Sequence, residues 1–178
     1  MTSFDGSEWN TFTTEDGLPI ERVYALTSDP SGNIWIGFGP NAGGIVKYNG
    51  QNWTPFTESD GLPNNYVYSI SSDRSGNVWI GFGPNAGGIV KYDGSSWRTY
   101  DKQDGLSKNY VYAVTVDQNS RVWMGYYENA GGLTEFDESN QYTLTSEEGL
   151  LSDYIRSLSV DNENHVWVAY GQFASGVS

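Results

Sequence analysis

Residues 60–92 decide the fold of this chain, and they read DGLPNNYVYSISSDRSGNVWIGFGPNAGGIVKY. Residues 66–72 are rich in β-branched and aromatic side chains, and a hairpin signal follows at Asp73-Arg74-Ser75-Gly76. Further turn signals separate three more short apolar stretches. No segment keeps a helical apolar period, so we expect no significant helix. The sequence thus predicts four strands, here called A to D, at residues 66–72, 77–82, 88–92 and 96–100.

The strand pattern recurs with a period of 44 residues. The triplet Asp60-Gly61-Leu62 returns in the other three units, with Glu148 for Asp in the last copy, and Trp79 of strand B returns in all of them. Residues 35–48 are identical to residues 79–92. A repeat of this length determines the whole fold. We expect one domain, residues 1–178, with repeats that start near residues 16, 60, 104 and 148.

Four-stranded units of this length are typical of β-propeller blades. Strand B is apolar on both faces, so we expect it to lie between neighbouring blades, with strand A innermost. Pro55 takes the place of Thr99 in the preceding copy of strand D, and a proline cannot donate to a ladder, which predicts an outer edge. The expected fold class is therefore all-β, a β-propeller of four-stranded antiparallel blades with four 44-residue repeats per chain. A solenoid of stacked sheets is the alternative.

The composition argues against several classes of function. The net charge is −13, which argues against binding to nucleic acid and to an anionic membrane surface. The chain has no Cys and a single His, His165, so we expect neither a metal nor a cofactor. It has no apolar run of membrane-spanning length, and its first residues are polar, so we predict neither a membrane span nor a signal peptide.

The combined motif resembles the two-component-regulator propeller repeat. The residues that carry the resemblance are 60–70, Asp73, 76–81 and 87–93. The resemblance implies a propeller like those in the periplasmic ligand-sensing regions of bacterial hybrid histidine kinases, several of which respond to oligosaccharides. A periplasmic or extracellular location is implied in the same way. The chain departs from the family in its longer B-to-C turn, residues 82–87, and in having no kinase, DNA-binding or membrane segment, so the signalling role is not carried over.

The fourth repeat is divided between the two ends of the chain. Residue 178 aligns within its strand C, and residues 3–12 match the remainder of strand C and all of strand D. We therefore expect residues 1–15 to supply the closing outer strand of the last blade. The ring then has four blades, or eight blades from two chains, or is part of a longer array. Eight blades meet at about 45°, close to the angle in the family's seven-bladed rings, so a homodimer is the favoured form.

The candidate ligand-binding residues lie in the D-to-A and B-to-C loops, which open on the same face of a propeller. Aromatic rings beside amide and carboxylate groups suit sugar recognition, because rings stack on apolar sugar faces while polar groups hold hydroxyls. Asp and Asn are also typical turn formers, which is the competing interpretation. The candidates are Arg22, Tyr66, Tyr110 and Tyr154 at the start of strand A, Asp60, Asn64, Asn65, Asp104 and Asn109 in the D-to-A loops, and Glu128 and Asn129 in a B-to-C loop.

These features predict a non-enzymatic ligand-binding or sensing module for a small neutral ligand, such as a carbohydrate or oligosaccharide. The alternative is a protein-interaction or assembly scaffold that uses the same acidic, aromatic face. A propeller lyase or a glycosidase with paired carboxylates fits less well. A lyase would need a catalytic His on the loop face, and His165 is expected on the opposite face. We expect no nucleic acid partner and no insertion into a membrane.

Overall fold

A computed structural model describes residues 1–19, 22–39, 43–83, 87–126 and 131–171. Within these ranges the chain forms β-strands and three single turns of 3-10 helix, at Thr14–Asp16, Glu58–Asp60 and Ser146–Glu148. The strands are β1 (Thr2–Phe4), β2 (Trp9–Thr11), β3 (Val23–Ser28), β4 (Ile34–Phe38), β5 (Ile45–Tyr48), β6 (Trp53–Phe56), β7 (Val67–Ser72), β8 (Val78–Phe82), β9 (Ile89–Tyr92), β10 (Trp97–Tyr100), β11 (Ala113–Val116), β12 (Val122–Gly125), β13 (Leu133–Phe136), β14 (Gln141–Leu144), β15 (Ile155–Val160) and β16 (Val166–Tyr170).

The strands form antiparallel meanders that follow the sequence repeat. Strands β3 to β6, β7 to β10 and β11 to β14 each make one four-stranded sheet, in chain order from one edge to the other. Strands β1 and β2 make a two-stranded sheet, and so do β15 and β16. The predicted all-β class is confirmed, and so are four short antiparallel strands in each of three repeats. Strand D lies on one edge of each four-stranded sheet, and Pro55 of β6 faces Val46 across that edge.

The sheets stack through their A strands. Strand β3 contacts β7, β7 contacts β11, and β11 contacts β15, so the A strands of successive repeats lie next to one another. The D strands occupy the opposite edges of the sheets. This arrangement matches the expected blades, with strand A inside and strand D on the rim, and it exposes the inner face of the A strands as a common surface.

Strand B and its tryptophan hold neighbouring sheets together. All five residues of β8 are buried. The Trp79 ring lies 5.9 Å from the ring of Tyr100 in its own sheet and 6.3 Å from that of Phe136 in the next sheet. Trp35 repeats this arrangement one repeat earlier. Burying a side chain of this size between sheets stabilises the fold by a few kcal/mol, so B-strand tryptophans account for much of the contact between repeats.

An aspartate closes each A-to-B hairpin and fixes the tryptophan of strand B. In the second repeat Asp73 Oδ1 accepts hydrogen bonds from the backbone N–H groups of Ser75 and Asn77, both at 2.9 Å. Its Oδ2 accepts from the amide of Asn77 at 2.6 Å and from the Trp79 indole at 3.5 Å. These contacts occupy both oxygens, so this loop is explained by turn formation alone.

The hairpin aspartates predict a loss of stability in acid. Hydrogen bonds from the Trp167 indole and the His165 backbone hold the pKa of Asp161 at about 2, below its ordinary 3.8. Burial acts to raise the pKa of Asp117, but hydrogen bonds from Arg121, Trp123 and Asn119 outweigh the effect of burial, so this pKa is also lowered. Since these folded-state pKa values lie below the unfolded value, the stabilisation is complete above about pH 4 and is lost as the pH falls towards 2.

Thermal denaturation followed by circular dichroism checks this expectation. The melting temperature should be nearly constant above about pH 5 and should fall between about pH 4 and pH 2. The melting temperature of the Asp117→Asn variant should fall less over that pH range than that of the wild type, because the variant lacks one of the titrating carboxylates. A melting temperature that stays level down to pH 2 would contradict the assignment.

The N-terminal hairpin differs from the expectation drawn from the sequence. Strand β1 pairs with β2, and in the described part of the chain neither is hydrogen-bonded to β16, so the predicted closure of the last blade is not present. The side chains of Met1 and Phe12 instead pack against the buried cluster of the first four-stranded sheet, which includes Leu18 and Ile36. The hairpin therefore lies beside the first blade, as strands C and D of a preceding blade would.

Candidate functional site

The inner face of the A strands carries an equivalent residue from each repeat. These residues are 44 positions apart, and we call the set the axial ladder: Tyr24, Tyr68, Tyr112 and Arg156. Together with their neighbours they line a cleft of about 450 Å³. The positions after the ladder are small, with Ala25, Ser69, Ala113 and Ser157, and the next positions are aliphatic, with Leu26, Ile70, Val114 and Leu158.

A β-bulge places the ladder residues. The register between strands A and B shifts between Val67 and Ser69, so Tyr68 occupies the bulge position of β7. The same shift occurs around Tyr24 in β3 and around Arg156 in β15. A bulge locally disrupts the ladder of hydrogen bonds and redirects a side chain, and bulges are frequent beside binding sites. Here the repeated bulge lets three consecutive positions of strand A line one cleft.

The ladder side chains stack on one another. The rings of Tyr68 and Tyr112 lie 4.1 Å apart with an interplanar angle of 28°. The guanidinium carbon of Arg156 lies 5.1 Å from the Tyr112 ring centroid, within the range of a cation–π contact. Tyr24 meets Tyr68 edge to face at 6.2 Å. The result is a row of aromatic planes that ends at a cation.

The Tyr68 hydroxyl is neutral at physiological pH. The Tyr66 and Tyr68 hydroxyls lie 2.8 Å apart, and their rings stack at 4.7 Å. Burial, followed by the hydrogen bonds with Tyr66 and Tyr112, raises the pKa of Tyr68 well above its ordinary value of 10.0. Tyr68 therefore offers an uncharged hydroxyl, which can both donate and accept hydrogen bonds, within the row of stacked rings.

The predicted loop residues bond mainly within their own loops. The carboxylate of Asp60 accepts from the backbone N–H and the hydroxyl of Thr57, in a capping box that closes the D-to-A turn. Asp104 accepts from the backbone N–H of Asp101 at 2.9 Å. The three asparagines use their side-chain oxygens in the same way: Asn64 accepts from Tyr66, Asn65 from Glu58 and Asn109 from Lys102.

The predicted residues at the start of strand A lie nearer the ladder. The guanidinium of Arg22 is 6.0 Å from the Tyr24 ring, and Tyr66 stacks on Tyr68. Tyr110 and Tyr154 are half-buried and precede β11 and β15. These four candidates flank the cleft without lining it. Glu128 and Asn129, predicted in a B-to-C loop, lie outside the described residues.

Sequence reasoning missed the ladder itself. Its signal was present in the 44-residue spacing of Tyr24, Tyr68 and Tyr112 within strand A. Alternation along a strand does not separate Tyr66 from Tyr68, because residues two positions apart share a face. Only the bulge between Val67 and Ser69 determines which of the two tyrosines lines the cleft.

The single histidine belongs to a hairpin. His165 Nδ1 lies 3.1 Å from Asp161 Oδ2, in the turn between β15 and β16, where Asn77 and Arg121 make the equivalent contacts with Asp73 and Asp117. It does not line the axial cleft. In the part of the chain that the structure describes, no group of three or more His, Asp or Glu side chains is placed to hold a metal ion. No helix in those ranges is long and apolar enough to span a membrane.

Comparisons with known proteins agree with this architecture. The family model described as two component regulator propeller matches residues 17–39 and 61–83. The extracellular domain of a hybrid two component system from B. thetaiotaomicron is similar over 92% of this chain and 23% of its own, with a TM-score of 0.75 and 19% identity. A second such domain from the same organism covers 88% of this chain and 23% of its own, with a TM-score of 0.68 and 22% identity.

An enzyme shares the same fold. A streptogramin B lyase is similar over 95% of this chain and 54% of its own, with a TM-score of 0.72 and 19% identity. No match was found among curated proteins. At these identities the likeness establishes the fold alone. The chain spans about a quarter of the length of these extracellular domains and about half that of the lyase.

Proposed function

We propose that this chain, which carries two-component-regulator propeller repeats in residues 17–39 and 61–83, is a non-enzymatic ligand-binding module of the sensor type. The observation that carries the proposal is the axial ladder, a row of stacked aromatic side chains along a cleft of about 450 Å³. A concave surface with aromatic walls and a few convergent polar groups is typical of small-molecule sites. The repeats form one propeller domain, residues 1–178.

A neutral carbohydrate suits the chemistry of this cleft. The faces of the Tyr68 and Tyr112 rings are taken up by stacking on Tyr66, on each other and under Arg156, so the edges and hydroxyls of these rings remain for a sugar, and hydroxyls can exchange hydrogen bonds with sugar hydroxyls. The net charge of −13 disfavours an anionic ligand at long range. Arg22, whose guanidinium lies 6.0 Å from the Tyr24 ring, would then contact parts of an oligosaccharide that extend beyond the ladder.

Catalysis is not part of this proposal. A hydrolase or lyase needs a nucleophile with a base, or two carboxylates held at different pKa values. Among the residues that the structure describes, those that line the cleft include no His, Asp or Glu. The likeness to a streptogramin B lyase concerns the fold, and His165 bonds to Asp161 in a hairpin outside the cleft.

We also propose an extracellular or periplasmic location. The two domains from B. thetaiotaomicron that resemble this chain are described as extracellular. A module that binds small ligands from the surroundings must be located where those ligands are present. A secreted or surface-exposed form of the protein would support this location.

An assembly scaffold is the second candidate function. It is favoured by large apolar side chains that remain exposed on the terminal hairpins, among them Phe4, Trp9 and Trp167. Exposed apolar clusters of this kind mark surfaces for protein partners. In this candidate the complete ring has eight blades and is built from two copies of the chain as a homodimer, with the N-terminal hairpin completing the last blade.

A glycan array of neutral oligosaccharides tests the ligand proposal. We expect the wild type to bind a small set of related glycans. Tyr68→Ala should weaken that binding about tenfold or more, since removing one stacked ring costs roughly 1.5 kcal/mol. Tyr68→Phe should retain part of the affinity because it keeps the ring and loses the hydroxyl. Tyr142→Ala, at an exposed rim position of β14, is the matched control and should bind like the wild type.

Two outcomes would count against the sugar proposal. An array without hits, together with specific protein partners recovered by pull-down, would favour the scaffold. Hits that survive Tyr68→Ala unchanged would place the site outside the ladder. Circular dichroism spectra of the variants must match that of the wild type, so that lost binding is not lost folding.

A further inference from the structure

The first blade has an apolar slot beside the N-terminal hairpin. Its volume is about 420 Å³, and we call it the N-terminal slot. The hairpin supplies one wall, and strands β3, β4 and β5 supply the rest. The residues that line it are Met1, Thr2, Ser3, Phe12, Leu26, Thr27, Ser28, Ile34 and Tyr48.

The equivalent space between the next two sheets is filled by a tryptophan. The apolar slot residues have counterparts 44 positions later in the chain, which are Ile45, Phe56, Ile70, Val78 and Tyr92. All five belong to the buried cluster that contains Trp35 or pack against it. Trp35 is 2% exposed there, and it lies 5.7 Å from both the Phe56 and the Tyr92 rings.

The aromatic walls of the N-terminal slot are already in position. Phe12 and Tyr48 lie 5.6 Å apart at 59°, and the equivalent pair Phe56 and Tyr92 lies 5.6 Å apart at 51°. Several of the slot residues are less buried than their counterparts, and the contrast is large for Leu26, which is 51% exposed whereas Ile70 is 7% exposed. The slot therefore has the shape of a tryptophan site with the tryptophan missing.

The complementary tryptophan is present at the other end of the chain. Trp167 of β16 is the repeat equivalent of Trp35 and Trp79, yet it is 49% exposed while both of those are 2% exposed. Among the described residues, β16 pairs with β15, and no other described strand pairs with its outer edge. An open edge with apolar side chains is a template for strand addition.

We propose that the β15–β16 hairpin of one copy completes the β1–β2 hairpin of a second copy, with Trp167 in the N-terminal slot of that second copy. The internal repeat gives the register. Ile34 pairs with Tyr48, Trp35 with Lys47 and Ile36 with Val46 in the first sheet. The same register pairs Val166 with Phe4, Trp167 with Ser3 and Val168 with Thr2. The four strands then form a blade of the same kind as the other three.

The geometry favours a second copy over closure within one chain. The chain follows part of a much longer extracellular domain over 92% of its own length at a TM-score of 0.75, and it covers 23% of that domain. Strand β3 contacts β7, β7 contacts β11 and β11 contacts β15, so β3 and β15 lie at the two ends of the row of A strands. A two-fold axis brings each copy's β15–β16 hairpin to the other copy's slot, so both slots fill and the assembly closes.

The mass of the protein in solution tests the proposal. By light scattering after size exclusion we expect the wild type at about 39 kDa, twice the 19.7 kDa of one chain. Trp167→Ala should shift the protein to about 20 kDa with an unchanged circular dichroism spectrum, because this side chain is half exposed in the single chain. Tyr142→Ala, which removes an exposed ring elsewhere, should stay at about 39 kDa. A wild-type monomer, or a Trp167→Ala variant that remains a dimer, would overturn the proposal.

Cysteine cross-linking distinguishes the two ways of filling the slot. The chain has no Cys, so Phe4→Cys combined with Val166→Cys introduces the only thiols, at positions expected to face each other. After oxidation we expect a covalent dimer on a non-reducing gel. A monomer with an internal cross-link would show closure within one chain and contradict the second copy. Neither result depends on the axial ladder, so ligand binding by Tyr68 is tested separately.

Discussion

Gly88→Ala is expected to destabilise the chain by about 3 kcal/mol or more. Gly88 has φ +78°, in the left-handed region, where a side chain costs roughly 1–2 kcal/mol. A Cβ at this position would also overlap the backbone carbonyl oxygen of Tyr100 in strand D, and backbone cannot move aside as a flexible side chain would. The equivalent residues Gly44 and Gly132 meet the carbonyl oxygens of Phe56 and Leu144 in the same way.

Gly94→Ala separates the two contributions. Gly94 has φ +95°, and a Cβ there meets nothing within 4 Å, so only the backbone strain remains. We expect this variant to lose about 1–2 kcal/mol in urea denaturation, clearly less than Gly88→Ala. Equal losses for the two variants would mean that the close approach of strands C and D at Gly88 is not a constraint on the fold.

Trp79→Ala is expected to cost about 3–5 kcal/mol, the range for removing a large buried aromatic side chain. Trp79 is buried between Tyr100 and Phe136 of two different sheets, and its indole bonds to Asp73. The variant leaves a cavity between sheets and removes one hydrogen bond from the A-to-B hairpin. Because the loss falls between two repeats, we expect it to lower the midpoint of urea denaturation strongly.

The matched control for Trp79→Ala is Tyr142→Ala. Tyr142 is 57% exposed, so its removal should change the free energy of unfolding by about 0.5 kcal/mol or less. If Trp79→Ala were equally mild, the tryptophans of strand B would not be the main contact between sheets, and the account of how the repeats stack would be wrong.

Much of the fold could be predicted because the residue types in each repeat specify where its turns form. Asp73 with Gly76 sets the A-to-B hairpin, Asp60 with Gly61 sets the D-to-A turn, and the observed strands begin within one residue of the predicted ones. Pro55 identified the outer edge because a missing N–H is tolerated only there. These signals are local, and the 44-residue period repeats each of them.

The candidate site was predicted less well. The acidic and amide side chains at Asp60, Asn64 and Asn109 have the composition of a polar ligand site, but their oxygens bond within their own loops. The position of Tyr68 depends on a bulge that forms only when strands A and B pair, and no sequence pattern encodes it directly. The relation of the two terminal hairpins depends on contacts beyond a single blade, so the repeat could indicate a register but not whether one chain adopts it.

Chemical-shift mapping with the strongest oligosaccharide from the array tests the central claim most directly. In isotope-labelled protein we expect the largest shifts in the Tyr24, Tyr68 and Tyr112 rings and in the neighbouring positions of β3, β7 and β11. Signals from the outer strands, such as Tyr142 in β14, should move little. Shifts concentrated on the outer strands, with the ladder rings unchanged, would contradict the assignment of the axial cleft as the binding site.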